Sequence, residues 1–167
     1  MTAAASQKPQ TRTRRTQAER SEAMRQRLID DLRKAAEQAN KLVLVTHSMG
    51  TMIAYDVLRN CKQCPPVEVL FTLGSPLGIT EVQEQLRADG LQHVDFPPGL
   101  GRWINVYDPL DPICGADPRM DDFRPTQGRR VEDVRESNWG NWRHTVTHYF
   151  AGRQFRSLLM HTLGISR

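Results

Sequence analysis

Residues 41–58, KLVLVTHSMGTMIAYDVL, constrain the fold of this chain more than any other stretch. Four consecutive apolar residues, Leu42, Val43, Leu44 and Val45, lead into Thr46-His47-Ser48-Met49-Gly50. A helix-compatible segment, residues 50–60, follows at once. A short, nearly continuous apolar run bounded by a turn reads as a strand buried on both faces of a parallel sheet. A strand that turns directly into a helix lifts the corner residue, here Ser48, clear of the sheet. Such a corner is expected to need small residues two before and two after it, where the flanking backbones approach closely. Gly50 satisfies the second position, and Thr46 occupies the first.

The rest of the chain repeats the strand–helix alternation. Thr16 and Glu19 have the spacing of a capping box, with Ser21 as a second candidate cap. Met24, Leu28, Leu32, Ala35, Ala36 and Ala39 then recur at intervals of three and four, which predicts a helix to about residue 39 with one apolar stripe. Residues 67–73 predict a second buried strand, ended by the turn Gly74-Ser75-Pro76-Leu77-Gly78. A short helix is expected over 80–88, capped by Thr80. A third strand is expected over 102–107, and a short fourth around Val131 and Val134. Residues 138–148 read as a loop and 149–163 as a final helix. The sum is an α/β chain with a parallel sheet of about four strands flanked by helices. Residues 1–18 are expected to be a disordered basic tail, and 19–167 one partial α/β domain.

Composition narrows the function. With 25% charged and 38% hydrophobic residues the chain has a globular make-up. The net charge of +4 is carried by residues 1–20, where Lys8, Arg12, Arg14, Arg15 and Arg20 face only Glu19. The remainder is balanced, so the charge describes a solvated tail and not a nucleic-acid-binding face. No run approaches the roughly 18 apolar residues of a membrane span. Three cysteines, an odd number, argue against a disulfide framework. Cys61-Lys62-Gln63-Cys64 has no second pair with which to build a zinc site, and is expected as loop thiols. A cytoplasmic, reducing setting fits this usage.

Acyl transfer by a serine needs a base to take the hydroxyl proton, an acid to orient the base, and donors for the oxyanion. In an open α/β sheet such groups gather at the carboxyl ends of the strands. Asp108 and Asp111 both follow the third strand, and His144 and His148 both precede the final helix. Singly, a serine after a strand is a helix cap, an Asp-Pro a turn, and a histidine among tryptophans a packed side chain. Jointly, the order Ser, Asp, His points to chemistry.

From Lys41 to about Phe150 the chain resembles α/β-hydrolase fold enzymes of the lipase/esterase type. VTHSMG resembles their nucleophile elbow, with Thr46 where glycine is usual. LFTLGSPLG resembles the strand and turn that follow the elbow helix, and NVYDPLDPI the strand that delivers the triad acid. The resemblance implies Ser48 as nucleophile, Asp111 as the acid in preference to Asp108, and His144 as the base in preference to His148. It implies the Met49 backbone N–H as an oxyanion donor, and no metal or organic cofactor. His47 then reads as a packing residue of the elbow, and His93 and His161 as surface or structural residues. The implied substrate is a small or lipid-like carboxylic ester.

The resemblance covers the C-terminal half of such a fold. The strands that would precede the elbow, and the loop that would carry the second oxyanion donor, have no counterpart in residues 1–40. Leu42, Val43, Leu44 and Val45 are therefore expected to form an apolar sheet edge, open to a partner chain or to self-association. Isolated activity is expected to be weak or absent. The alternative is a non-catalytic binding module, or a truncated remnant, of the same fold.

Overall fold

A computed structural model describes residues 16–87, 93–114 and 117–165. The basic tail expected over residues 1–18 lies, up to residue 15, outside the described residues, and its end is corrected: Thr16 caps α1, and Gln17 and Ala18 are already helical. Ala88, at the end of the expected short helix, is also outside the described residues. The elements are α1 (Gln17–Ala36), β1 (Val43–His47), α2 (Met49–Asn60), β2 (Val67–Leu73), a 3-10 turn (Pro76–Gly78), α3 (Thr80–Leu86), β3 (Leu100–Tyr107), β4 (Val131–Arg135), α4 (Val146–Ala151) and α5 (Arg153–Thr162). The four strands form one parallel sheet in the order β1-β2-β3-β4.

Helices cover both faces of the sheet. On one face Leu28, Ile29 and Leu32 of α1 and Ala54, Tyr55 and Leu58 of α2 pack with Leu42, Leu70 and Trp103. On the other, Tyr149 of α4 and Phe155 of α5 pack with Val69, Phe71, Ile104 and Val106. Alternation along β2 serves both layers: Leu70 faces the first and Val69 and Phe71 the second. The continuous apolar character of β2 follows from this two-sided burial.

Several boundaries differ from the sequence expectation. The capping box forms, with Glu19 N–H donating to Thr16 Oγ1 at 3.3 Å and Thr16 N–H to Glu19 Oε2 at 2.7 Å. However, α1 ends at Ala36, and Met24, Ala35, Ala36 and Ala39 of the stripe are exposed. Among the described residues its middle turns, at Leu28, Ile29 and Leu32, are the part that packs on the core. β1 is half-buried along its whole length, because it pairs with β2 alone among the described residues. The cap of α3 is Ile79, without a side-chain bond, and Thr80 is already helical. The expected final helix is two helices, and the loop before it ends at Thr145, so His148 is helical.

The break between α4 and α5 has an identifiable cause. The Glu136 carboxylate, just past β4, accepts from Gln154 N–H at 2.9 Å and Phe155 N–H at 3.1 Å, capping α5. It lies so close to Gly152 that a Cβ there would collide with it.

Cys61 and Cys64 correct another expectation. They do lie in the loop after α2, but they are joined by a disulfide, their Cα atoms 5.4 Å apart. The turn brings them within bonding range whatever the parity of the cysteine count. Cys114 is free and buried; burial pushes its thiol up to about 12. Among the described residues no helix is long and apolar enough to cross a membrane, and no cluster of His, Cys, Asp or Glu has the geometry of a metal site.

Candidate active site

The carboxyl ends of β1, β2 and β3 carry the candidate groups, and parallel pairing brings those ends level: His47 pairs with Leu73, and Leu73 with Val106. Ser48 follows β1 directly. Its backbone sits at φ 54, ψ −131, a region that costs a non-glycine residue about 1–3 kcal/mol. That strain turns the chain from β1 into α2 within one residue and presents the hydroxyl.

The rationale for the flanking residues needs correction. A Cβ on Gly50 would meet nothing within 4 Å, so close approach does not require glycine there among the described residues. Thr46 instead donates its hydroxyl to Phe71 O at 3.0 Å, tying the corner to β2. Inside the first turn of α2, Thr51 Oγ1 donates to Ser48 O and lies 2.7 Å from Ser75 Oγ, which ties the elbow to the turn after β2.

Three residues from distant parts of the chain meet in one line. His144 Nε2 is 2.9 Å from Ser48 Oγ. His144 Nδ1 is 2.9 Å from Asp111 Oδ2 and 3.1 Å from Oδ1. An ionised carboxylate only accepts, so Nδ1 carries the proton and Nε2 faces the serine as acceptor. Asp111 is buried and fully engaged: Oδ2 also accepts from the Tyr149 hydroxyl at 2.7 Å, and Oδ1 from Ile113 N–H at 2.8 Å. Burial pushes the Asp111 carboxyl up, but bonds from His144, Tyr149 and Ile113 outweigh it and hold the group below its ordinary value.

Asp108 and His148, the alternatives for acid and base, sit elsewhere. Asp108 accepts from Leu110 N–H at 2.9 Å, Asn138 N–H at 2.8 Å and the Arg143 guanidinium at 3.1 Å. It thereby anchors the loop that leads to His144. His148 packs against Trp139, ring centroids 4.3 Å apart, and its Nδ1 is buried without a hydrogen-bond partner among the described residues. Met49 is the first residue of α2, so its N–H has no acceptor within the helix and lies at the positive end of the helix dipole. His93 and His161 are exposed.

Two participants were not read from the sequence. Tyr149, by sequence only the first residue of the expected final helix, has a hydroxyl that bridges Asp111 and the Asp108 backbone N–H, which donates to it at 3.2 Å. Gly74, in the Gly-Ser-Pro turn, has φ +52, and a Cβ there would lie 2.9 Å from both Asp111 Oδ2 and Tyr149 Cε2. The turn motif is the available signal for Gly74, and the aromatic pair Tyr149-Phe150 at the start of the expected final helix is the available signal for Tyr149. A cavity of about 530 Å³ opens beside Met49, lined by Met24, Met52, Ile53 and Leu86 among others. No protein-family profile matches the chain, and neither a curated protein nor a solved structure is detectably similar to it.

Proposed function

We propose that this chain is a serine hydrolase of the α/β-hydrolase type that acts on carboxylic esters with an acyl or lipid-like portion. The observation that carries the reading is the unbroken line Ser48 Oγ–His144 Nε2, His144 Nδ1–Asp111 Oδ2, each 2.9 Å, with Ser48 on a strained corner. In this mechanism Ser48 Oγ attacks the ester carbonyl carbon while His144 Nε2 takes its proton. Asp111 holds the Nδ1–H and stabilises the imidazolium. The Met49 N–H donates to the developing oxyanion. The tetrahedral intermediate collapses, the alkoxide leaves with the proton from His144, and an acyl-Ser48 ester remains. Water, deprotonated by His144, releases the acid. The cavity beside Met49 has a mixed lining that includes Arg25, Asp56 and Gln85, and its apolar residues Met24, Met52, Ile53 and Leu86 support an acyl group as the part of the substrate held there.

The test is labelling with a fluorophosphonate and turnover of 4-nitrophenyl acetate, with Ser48→Ala as control. Labelling confined to Ser48 is expected, with slow turnover; folded protein that neither labels nor turns over defeats the hydrolase reading and leaves the non-catalytic one. With only one oxyanion donor assigned, the rate is expected to be about 10²–10³ below that of a complete site. A cytoplasmic setting belongs to the same proposal, where the half-buried Cys61–Cys64 bond would be open to reduction.

The edge position of β1 favours a second reading, a binding module that pairs through Leu42, Val43, Leu44 and Val45 with a partner chain or a second copy. Sedimentation of the purified protein separates the two: a stable, monodisperse monomer at high concentration counts against self-pairing.

A further inference from the structure

We infer that His47, the residue before the proposed nucleophile, is a positioning residue that holds the base His144 in place; the inference rests on the serine-hydrolase reading above. His47 Nε2 lies 2.8 Å from the backbone oxygen of His144. A carbonyl oxygen only accepts, so Nε2 carries a proton and donates. The same imidazole lies against the His144 ring, centroids 4.6 Å apart, and 5.8 Å from the ring of Tyr149. Residue 144 is thus held at three points: Asp111 on Nδ1, Ser48 on Nε2, and His47 on its backbone.

The backbone contact has a distinct consequence. His144 sits in the loop before α4, whose nearest anchor on the sheet side is the bonding of Asp108 to Asn138 and Arg143. Without a tie at residue 144 itself, the ring could keep its bond to Asp111 and still swing away from Ser48 Oγ. His47 belongs to β1, the strand that delivers Ser48, so one rigid element sets both nucleophile and base. Misplacement of reacting groups by about 1 Å costs up to roughly 10²-fold in rate.

The test uses His47→Phe, which keeps a ring against His144 but loses the N–H, and His47→Gln, whose amide nitrogen stands in for Nε2. His47→Asn, too short to reach the carbonyl, serves as a second loss variant should His47→Phe not fold. Turnover of 4-nitrophenyl acetate is expected to show kcat lowered about 10–100-fold in the Phe and Asn variants with KM little changed, and largely restored in the Gln variant. The His144 Nδ1–H proton, observed by NMR in the full chain, is expected to be sharp in wild type and Gln and broadened in Phe and Asn. Unchanged kcat and a sharp signal in folded His47→Phe would overturn the inference. If the wild type neither labels at Ser48 nor turns over ester, the hydrolase reading fails, and the NMR arm still decides whether His47 holds His144.

Discussion

The Tyr149 hydroxyl donates to Asp111 Oδ2 across 2.7 Å and accepts the Asp108 N–H at 3.2 Å, so one buried phenol joins the acid of the candidate triad to the strand end that carries it. Burial, with the neighbouring Cys114, pushes the phenol well above its ordinary value, so it stays a donor at any working pH. Tyr149→Phe removes the donor and orphans a buried backbone N–H. The expected loss of stability is about 1–3 kcal/mol, read by denaturant unfolding. In the proposed reaction kcat is expected to fall less than in Asp111→Asn, because His144 and the Ile113 N–H still hold the carboxylate.

Gly74 is the closest constraint on that acid. Its φ of +52 is costly for an L side chain, and its missing Cβ is the space that Asp111 Oδ2 and Tyr149 occupy. Gly74→Ala is expected to lower stability by about 2 kcal/mol or more and to weaken the Asp111–His144 bond. Thermal unfolding measures the first, and the NMR signal of the His144 Nδ1–H the second. A variant as stable as wild type with the same signal would refute the packing argument.

Acidification is expected to destabilise the protein in two stages. His47 is held below its ordinary value, mainly by burial, so the unfolded chain takes up that proton first. Stability from the neutral imidazole is present above about pH 6.5 and is lost as pH falls from there through the lower folded value. Asp111 is also held low, so its contribution is present above about pH 4 and is lost below that. Melting temperature against pH is expected to fall in both windows. His47→Gln removes the first fall and leaves the second; a curve superimposable on wild type would sink the assignment.

The cavity beside Met49 predicts a chain-length preference. Met49, Met52, Ile53 and Asp56 share one face of α2, at the spacing of successive turns, and face Met24 of α1 and Leu86 of α3. Ile53→Trp is expected to fill the groove. Its kcat/KM on an octanoyl nitrophenyl ester should fall roughly tenfold or more relative to the acetyl ester. An unchanged ratio would place the acyl group elsewhere.

Glu136 and Gly152 offer a test away from the site. Gly152→Ala places a methyl group against the carboxylate that caps α5 and is expected to cost about 1–2 kcal/mol, the worth of a helix cap. Glu136→Gln keeps an acceptor and is expected to cost less. Circular dichroism melts of the two variants check the order.

What was readable in the sequence was whatever depends on near neighbours. The apolar run before Ser48, the 67–73 strand, the Thr16–Glu19 box and the order of strands and helices follow from periodicity and turn chemistry, which act over a few residues. Local too were the serine at a strand–helix corner and the placing of acids and histidines at element ends. What only the tertiary structure decided involves pairs far apart in the chain. Asp111 and Asp108 are alike in sequence, each an Asp-Pro after β3, but only Asp111 meets a histidine, 33 residues on, while Asp108 turns back to bind Asn138 and Arg143. His144 and His148 are only four residues apart, but His144 stays in the loop and faces Ser48, whereas His148 lies in α4 and packs against Trp139. The bond from His47 to the backbone of residue 144 spans 97 residues. Such contacts arise when the ends of parallel strands are brought level by packing on both faces of the sheet, and no local pattern encodes which side chains then face one another.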